Sequence, residues 1–300
     1  MSLQNSLRLK YQTASAIEKL IAINLLAFVF FGLLSGITSL MQWNFTFVVD
    51  WLVFFKDLDE YWYKPWTIIT YAFLHADLRH IFFNMLVLYF SGRYFIDYFN
   101  GKRAWTVYLL GGISGALLFM ISYNLFPALI ELGKSQNAYL IGASASVMAI
   151  LIAVATRVPN LGVRLMFIGS VKFWHIAAFF VVLDLIQINP NTAGTHLAHL
   201  GGALFGYLYA SQLKKGKDIG SWFEKLMDSV ASLFKPRKKS PLKTVHKAKK
   251  PKNTTKNTTS STTKNPNQAK IDAILDKISK SGYDSLTKQE KDFLFKAGKN

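Results

Sequence analysis

The sequence predicts an all-α polytopic membrane protein with a basic, partly disordered C-terminal tail. Three observations predict it. Of 300 residues, 51% are hydrophobic and 17% charged, where an ordinary soluble domain is about a quarter charged. The charge is also lopsided, since 22 of the 35 Lys and Arg fall at or after Lys214 with 8 of the 17 Asp and Glu, leaving residues 1–213 nearly neutral. Finally, six apolar stretches, at 18–40, 80–99, 104–125, 138–157, 165–188 and 194–213, approach the ~20 residues that a helix needs to cross a bilayer core.

Residues 1–17 are polar and end in no small-residue cleavage site, so the first apolar stretch reads as a retained helix rather than a secretory signal. The 41–79 segment is too polar in its middle to span and is rich in Trp and Tyr, which suits a loop lying in the headgroup interface. Lys and Arg cluster in the N-terminal segment, the 100–103 turn, the 157–164 turn and the tail. By the positive-inside rule these face the cytoplasm, so both termini are cytoplasmic and stretches two, four and six run inward from the outer face.

The tail divides further. Residues 214–235 hold Ile219, Trp222, Phe223, Leu226, Met227, Val230 and Phe234 at helical spacing, an amphipathic juxtamembrane helix. Residues 236–270 are rich in Lys, Thr, Asn and Pro and read as a disordered basic linker. Anionic lipid is its expected partner, ahead of nucleic acid. Residues 271–300 read as a small helical segment, with Thr287 and Glu290 at the spacing of a capping box. There is no cysteine, which excludes disulfides and thiolate chemistry. No cofactor or metal motif is read.

Orientation sorts the polar residues by depth. Ser144 falls five or six residues into the fourth stretch and His199 about five into the sixth, some ~8–9 Å below the outer end at 1.5 Å per residue. His80 and Asn84, four apart and so on one face, enter the second stretch at the same end. A buried serine needs a base within reach to become a nucleophile. Ser114, in the outward-running third stretch, has no histidine at its level, whereas Ser144 and Ser146 do. Ala145, Ala149 and Ala153 repeat every four residues on the fourth stretch, and Gly202, Gly206 and Ala210 on the sixth. Such small-residue faces let membrane helices approach closely. Spacing alone does not choose between Ser144 and Ser146.

Together, "HIFFN", "GASA" and "AHLGGALFG" resemble the motifs of the rhomboid intramembrane serine proteases, in order and on the second, fourth and sixth spans of a six-span bundle covering about 40–213. The resemblance implies Ser144 as nucleophile and His199 as general base of a Ser–His dyad, and so chooses Ser144 over Ser146. It implies an oxyanion hole from His80, Asn84 and the Ser144 N–H. Gly142 would permit the approach before the nucleophile, and Gly202 and Gly206 would pack the sixth helix on the fourth. The implied substrates are single-span membrane proteins, cut near the outer face of a prokaryotic cytoplasmic membrane. Three positions depart from the pattern. Ala145 replaces a glycine, Met148 replaces an aromatic, and Trp66-Thr67 stands where the loop carries Trp-Arg. Asp184 has no part in the family's dyad and reads as a hydrated residue near the outer end of the fifth span. The alternative is a silent relative that binds transmembrane helices without cutting them. A transporter would show internal repeats and a charged path, and neither is evident.

Overall fold

Residues 3–165, 169–234 and 266–297 are described by a computed structural model of the chain, which forms two compact units, 1–236 and 237–300. In the first unit, α1 (Leu3–Thr13) precedes α2 (Ala16–Leu40). A reciprocal cap starts α2, the Ser15 N–H donating to Glu18 Oε2 (2.6 Å) and the Glu18 N–H to Ser15 Oγ (3.2 Å). The helices that follow are α3 (Thr46–Asp50), α4 (Leu58–Tyr63), α5 (Thr67–Thr70), α6 (Leu78–Tyr98), α7 (Gly101–Leu125), α8 (Pro127–Ser135), α9 (Ser144–Arg157), α10 (Phe173–Ile186), α11 (Ala193–Lys214) and α12 (Ser221–Phe234). Two antiparallel pairs interrupt them, β1 (Phe54–Phe55) with β2 (Tyr139–Leu140) and β3 (Gly162–Leu165) with β4 (Gly169–Lys172).

Among the described residues two helices, α2 and α7, are long and apolar enough to cross a membrane. The fourth and fifth stretches give shorter helices than expected, α9 and α10 having 14 residues each. Residues 139–140 pair with the loop strand β1, so α9 begins only at Ser144. The start of the fifth stretch is a hairpin, closed at its base by the Phe173 N–H donating to the Leu161 carbonyl (2.8 Å). Periodicity does not separate a short apolar strand from a buried helix.

Buried nearly all round, α9 packs against α6, α7, α10 and α11, as expected of a helix without a polar face. The 41–79 segment is more than an interfacial strap. It buries Val53, Phe54, Tyr71, Ala72 and Leu74 against the helices while leaving Trp43, Trp62 and Tyr63 exposed. The Tyr71 hydroxyl donates to the Gly112 carbonyl (2.6 Å), and the Tyr108 hydroxyl to the Ala72 carbonyl (2.9 Å). Asn24, wholly buried, donates to Tyr108 (3.0 Å). These bonds knit α2, the loop and α7 together. Where the family pattern has Trp-Arg, Trp66 instead stacks on Trp51 (5.8 Å between ring centroids) and donates to the Trp51 carbonyl (2.7 Å).

In the second unit, α13 (Pro266–Ser281) and α14 (Lys288–Ala297) join through a turn at Tyr283–Ser285. The Thr287 N–H donates to Glu290 Oε2 (2.7 Å), and Lys277 bridges to the same carboxylate (2.9 Å). Since α13 begins at Pro266, helix starts five residues before the expected boundary; the remainder of the predicted disordered linker lies outside the described residues.

Candidate active site

Ser144, His80, Asn84 and His199 line one cavity of about 600 Å³ between α6, α9, α10 and α11. Asp184, His196 and Met148 share it, and the exposed Asp77, Arg79, Gln187 and Thr195 give it a polar rim.

Ser144 is the first residue of α9, rather than lying five or six residues into a helix as the depth reading had it. Helix N-termini leave their first N–H groups without intrahelical partners and concentrate positive potential there. The first α9 bond in the chain is the Val147 N–H to the Ala143 carbonyl (2.9 Å), so the N–H groups of Ser144, Ala145 and Ser146 precede it. The turn into this helix depends on Gly142. Its φ of +121° disfavours any side chain, and a Cβ there would lie 2.5 Å from His80 Cε1. The loop holds that turn from outside, Gly142 donating its N–H to the Tyr71 carbonyl (3.0 Å).

The other serines lie elsewhere. Ser114 Oγ donates to the Gly201 carbonyl (2.9 Å), tying α7 to α11. Ser146 is fully buried outside the cavity, its Oγ without a hydrogen-bond partner and 2.7 Å from where a Cβ on Gly112 of α7 would fall. On α11, a Cβ on Gly202 would overlap the Ala145 carbonyl oxygen, and one on Gly206 the Ala149 carbonyl oxygen. The glycine and alanine faces expected to meet are in backbone contact.

At the start of α6, Asp77 Oδ1 accepts from the His80 N–H (2.9 Å) and sets the helix so that His80 and Asn84 reach the cavity. Asn84 Nδ2 donates one of its two hydrogens to the His80 carbonyl (3.0 Å), which leaves the second for a ligand. The His75 ring lies edge-on to His80, centroids 5.1 Å apart.

Asp184 is not hydrated as expected. It is 6% exposed, and its Oδ1 lies 2.7 Å from His199 Nδ1 and 2.8 Å from His196 Nδ1. Sequence reasoning missed His75 and His196 altogether. His199 and His196 share a face of α11 at a spacing of three, which was a usable signal. Among the described residues, Asp184, His196 and His199 are the group whose donor atoms, within 4.8 Å of one another, have the composition of a metal site. Those atoms already hydrogen-bond to each other. His199 Nε2, by contrast, is buried and has no partner in the structure.

A Rhomboid domain matches residues 63–215, and a family of unknown function, DUF6576, matches residues 256–298. RHOMBOID-like protein 12, mitochondrial, of Arabidopsis thaliana is 30% identical over 162 residues, 50% of this chain and 47% of that protein. Presenilin-associated rhomboid-like protein A, mitochondrial, of Danio rerio is 32% identical over 141 residues, 46% of this chain and 35% of that protein. Its namesake from Homo sapiens is 29% identical over 148 residues, 47% of this chain and 36% of that protein. The chain thus spans less than half the length of each of these relatives. They also correct the expected location. These similar proteins are mitochondrial, which overturns the reading of a prokaryotic cytoplasmic membrane with cytoplasmic termini.

Proposed function

The chain belongs to the rhomboid family, the domain match covering just over half of it, and from that premise we propose that it is an intramembrane serine protease acting on single-span membrane proteins. In this reading six helices, α2, α6, α7, α9, α10 and α11, cross the bilayer, the two short ones extended by their flanking segments. The observation that carries the proposal is that one cavity is lined both by Ser144, at a helix N-terminus, and by His199, whose buried Nε2 has no hydrogen-bond partner.

Ser144 Oγ attacks the scissile carbonyl while His199 Nε2 takes its proton, then delivers it to the leaving amine. The developing oxyanion meets the Ser144 N–H, helped by the α9 terminus, with His80 and the second Asn84 amide hydrogen as further donors. Water deacylates the serine, and the polar rim of the cavity supplies a route for it. The glycine contacts at Gly142, Gly202 and Gly206 hold α9 against His80 and α11.

Detergent-solubilised protein, treated with a fluorophosphonate probe and a model single-span substrate, tests this. Wild type is expected to label and cleave, Ser144→Ala to do neither, and Ser146→Ala and Ser114→Ala to keep labelling. Labelling that survives Ser144→Ala overturns the nucleophile. A wild type that neither labels nor cleaves overturns the protease reading in favour of a silent, helix-binding relative.

A further inference from the structure

Asp184 is the lone acid of α10, and it is buried beside the cavity with both α11 histidines on one oxygen. A buried carboxylate that lacked donors would be costly to keep charged, whereas two N–H donors satisfy it. An ionised carboxylate only accepts hydrogen bonds. Each Nδ1 must therefore carry its proton, and each Nε2 is left with its lone pair. For His199 that is the tautomer able to take a proton from Ser144.

We infer that Asp184 is the positioning residue of the Ser144–His199 pair, fixing the Nδ1–H tautomer and the ring orientation of His199, and that His196 holds the Asp184 carboxylate in place. This rests on the protease reading and deepens it, because it turns a two-residue site into a Ser–His–Asp relay of fixed geometry. No proton passes to Asp184. Its charge stabilises the imidazolium that forms when His199 takes the serine proton, and the proton then leaves on the amine.

The placement follows from the helices. His196 and His199 are three apart on α11, so their rings lie on adjacent turns of one face, 5.7 Å between centroids and 89° between planes. Perpendicular rings let two Nδ1 atoms converge on one oxygen without their Nε2 atoms meeting. His199 is thereby pinned on its Nδ1 side with Nε2 unpaired. His196 is the second donor and has its own place on the cavity wall. Without Asp184, a neutral His199 would divide between tautomers, and the form carrying Nε2–H cannot act as the base.

The test combines two measurements on the purified full-length protein. Nitrogen-15 NMR of histidine-labelled protein, with His199 assigned by the loss of its signals in His199→Gln, is expected to show a protonated Nδ1 and a bare Nε2 in wild type. In Asp184→Asn the proton is expected on Nε2. In cleavage assays Asp184→Asn is expected to lose at least ~10-fold in kcat with little change in KM, the corresponding change in a soluble serine protease costing about 10⁴. His196→Gln is expected to lose less. A wild-type His199 protonated on Nε2 overturns the inference, and that measurement needs no variant to fold. So does an Asp184→Asn protein whose tautomer and kcat match wild type. If wild type proves inactive and unlabelled, the protease reading fails on that ground, while the tautomer still decides whether Asp184 orients His199.

Discussion

His75 shows how much one side chain can be governed by its surroundings. It lies in the loop that leads into α6 and is 9% exposed. Burial first, and then the His80 ring beside it, push its pKa from the usual 6.5 down to about 4, with the Phe73 backbone offsetting part of the shift. The imidazole is thus neutral in the fold down to about pH 4, while in the unfolded chain it gains a proton near pH 6.5. Between those values the unfolded state binds the extra proton, so stability rises with pH across the window and is fully present above it. The whole window is worth of order 3 kcal/mol. Melting temperatures in detergent are expected to fall as the pH is lowered from about 6.5 to 4, and to fall less steeply in His75→Gln. Parallel curves for the two proteins would sink the assignment.

Between elements, the contact that matters most to the site is that of α9 with α11. A Cβ on Gly202 would overlap the backbone oxygen of Ala145, the residue after Ser144, and backbone cannot rotate aside. Gly202→Ala must therefore part the helices, at about 1–3 kcal/mol, and carry Ser144 away from His199. Gly36→Ala in α2 meets nothing within 4 Å and is expected to melt like wild type. Thermal melts beside the labelling assay decide this, and equal melting temperatures for the two variants would deny the close contact. That contact was legible in the sequence, because small residues at every fourth position are a pattern within one helix. So were the motif residues now found around one cavity. Three other features were not. The start of α9 at Ser144 depends on β1, more than eighty residues earlier in the chain, and nothing in 138–143 alone says that it pairs. The β3–β4 hairpin hides inside a continuous apolar run. The link from Asp184 to His199 joins two helices whose relative rotation no single-helix periodicity sets, so a lone acid near a span end looked merely hydrated.

On the scale of the whole chain, the rhomboid match ends at residue 215 and the second match begins at 256, so the helix between them, α12, is assigned by neither. The structure assigns it to the first unit. Arg103 pairs with Asp218 (2.9 Å) and Lys102 with Asp228 (2.6 Å), while Phe223 is buried. Gly220 sits against Thr106 and Tyr209, where a Cβ would lie 2.7 Å from Thr106 Cγ2. The surface ion pairs contribute little, at most about 1 kcal/mol each, whereas burying the Phe223 ring is worth about 2 kcal/mol. Trp222, Leu226 and Val230 remain exposed at four-residue spacing, the apolar stripe expected of a helix lying on lipid. Two truncations separate these contributions. Ending the chain after Pro236 removes only the second unit and is expected to leave both the melting temperature and the probe labelling of the first unchanged. Ending it after Lys217 also removes α12, uncovers the base of α7, and is expected to lower the melting temperature measurably. If both truncated proteins melt alike, α12 is not part of the first unit's fold. If the chain ended after Lys217 alone melts early, the boundary of the first unit lies after α12, some twenty residues beyond the rhomboid match.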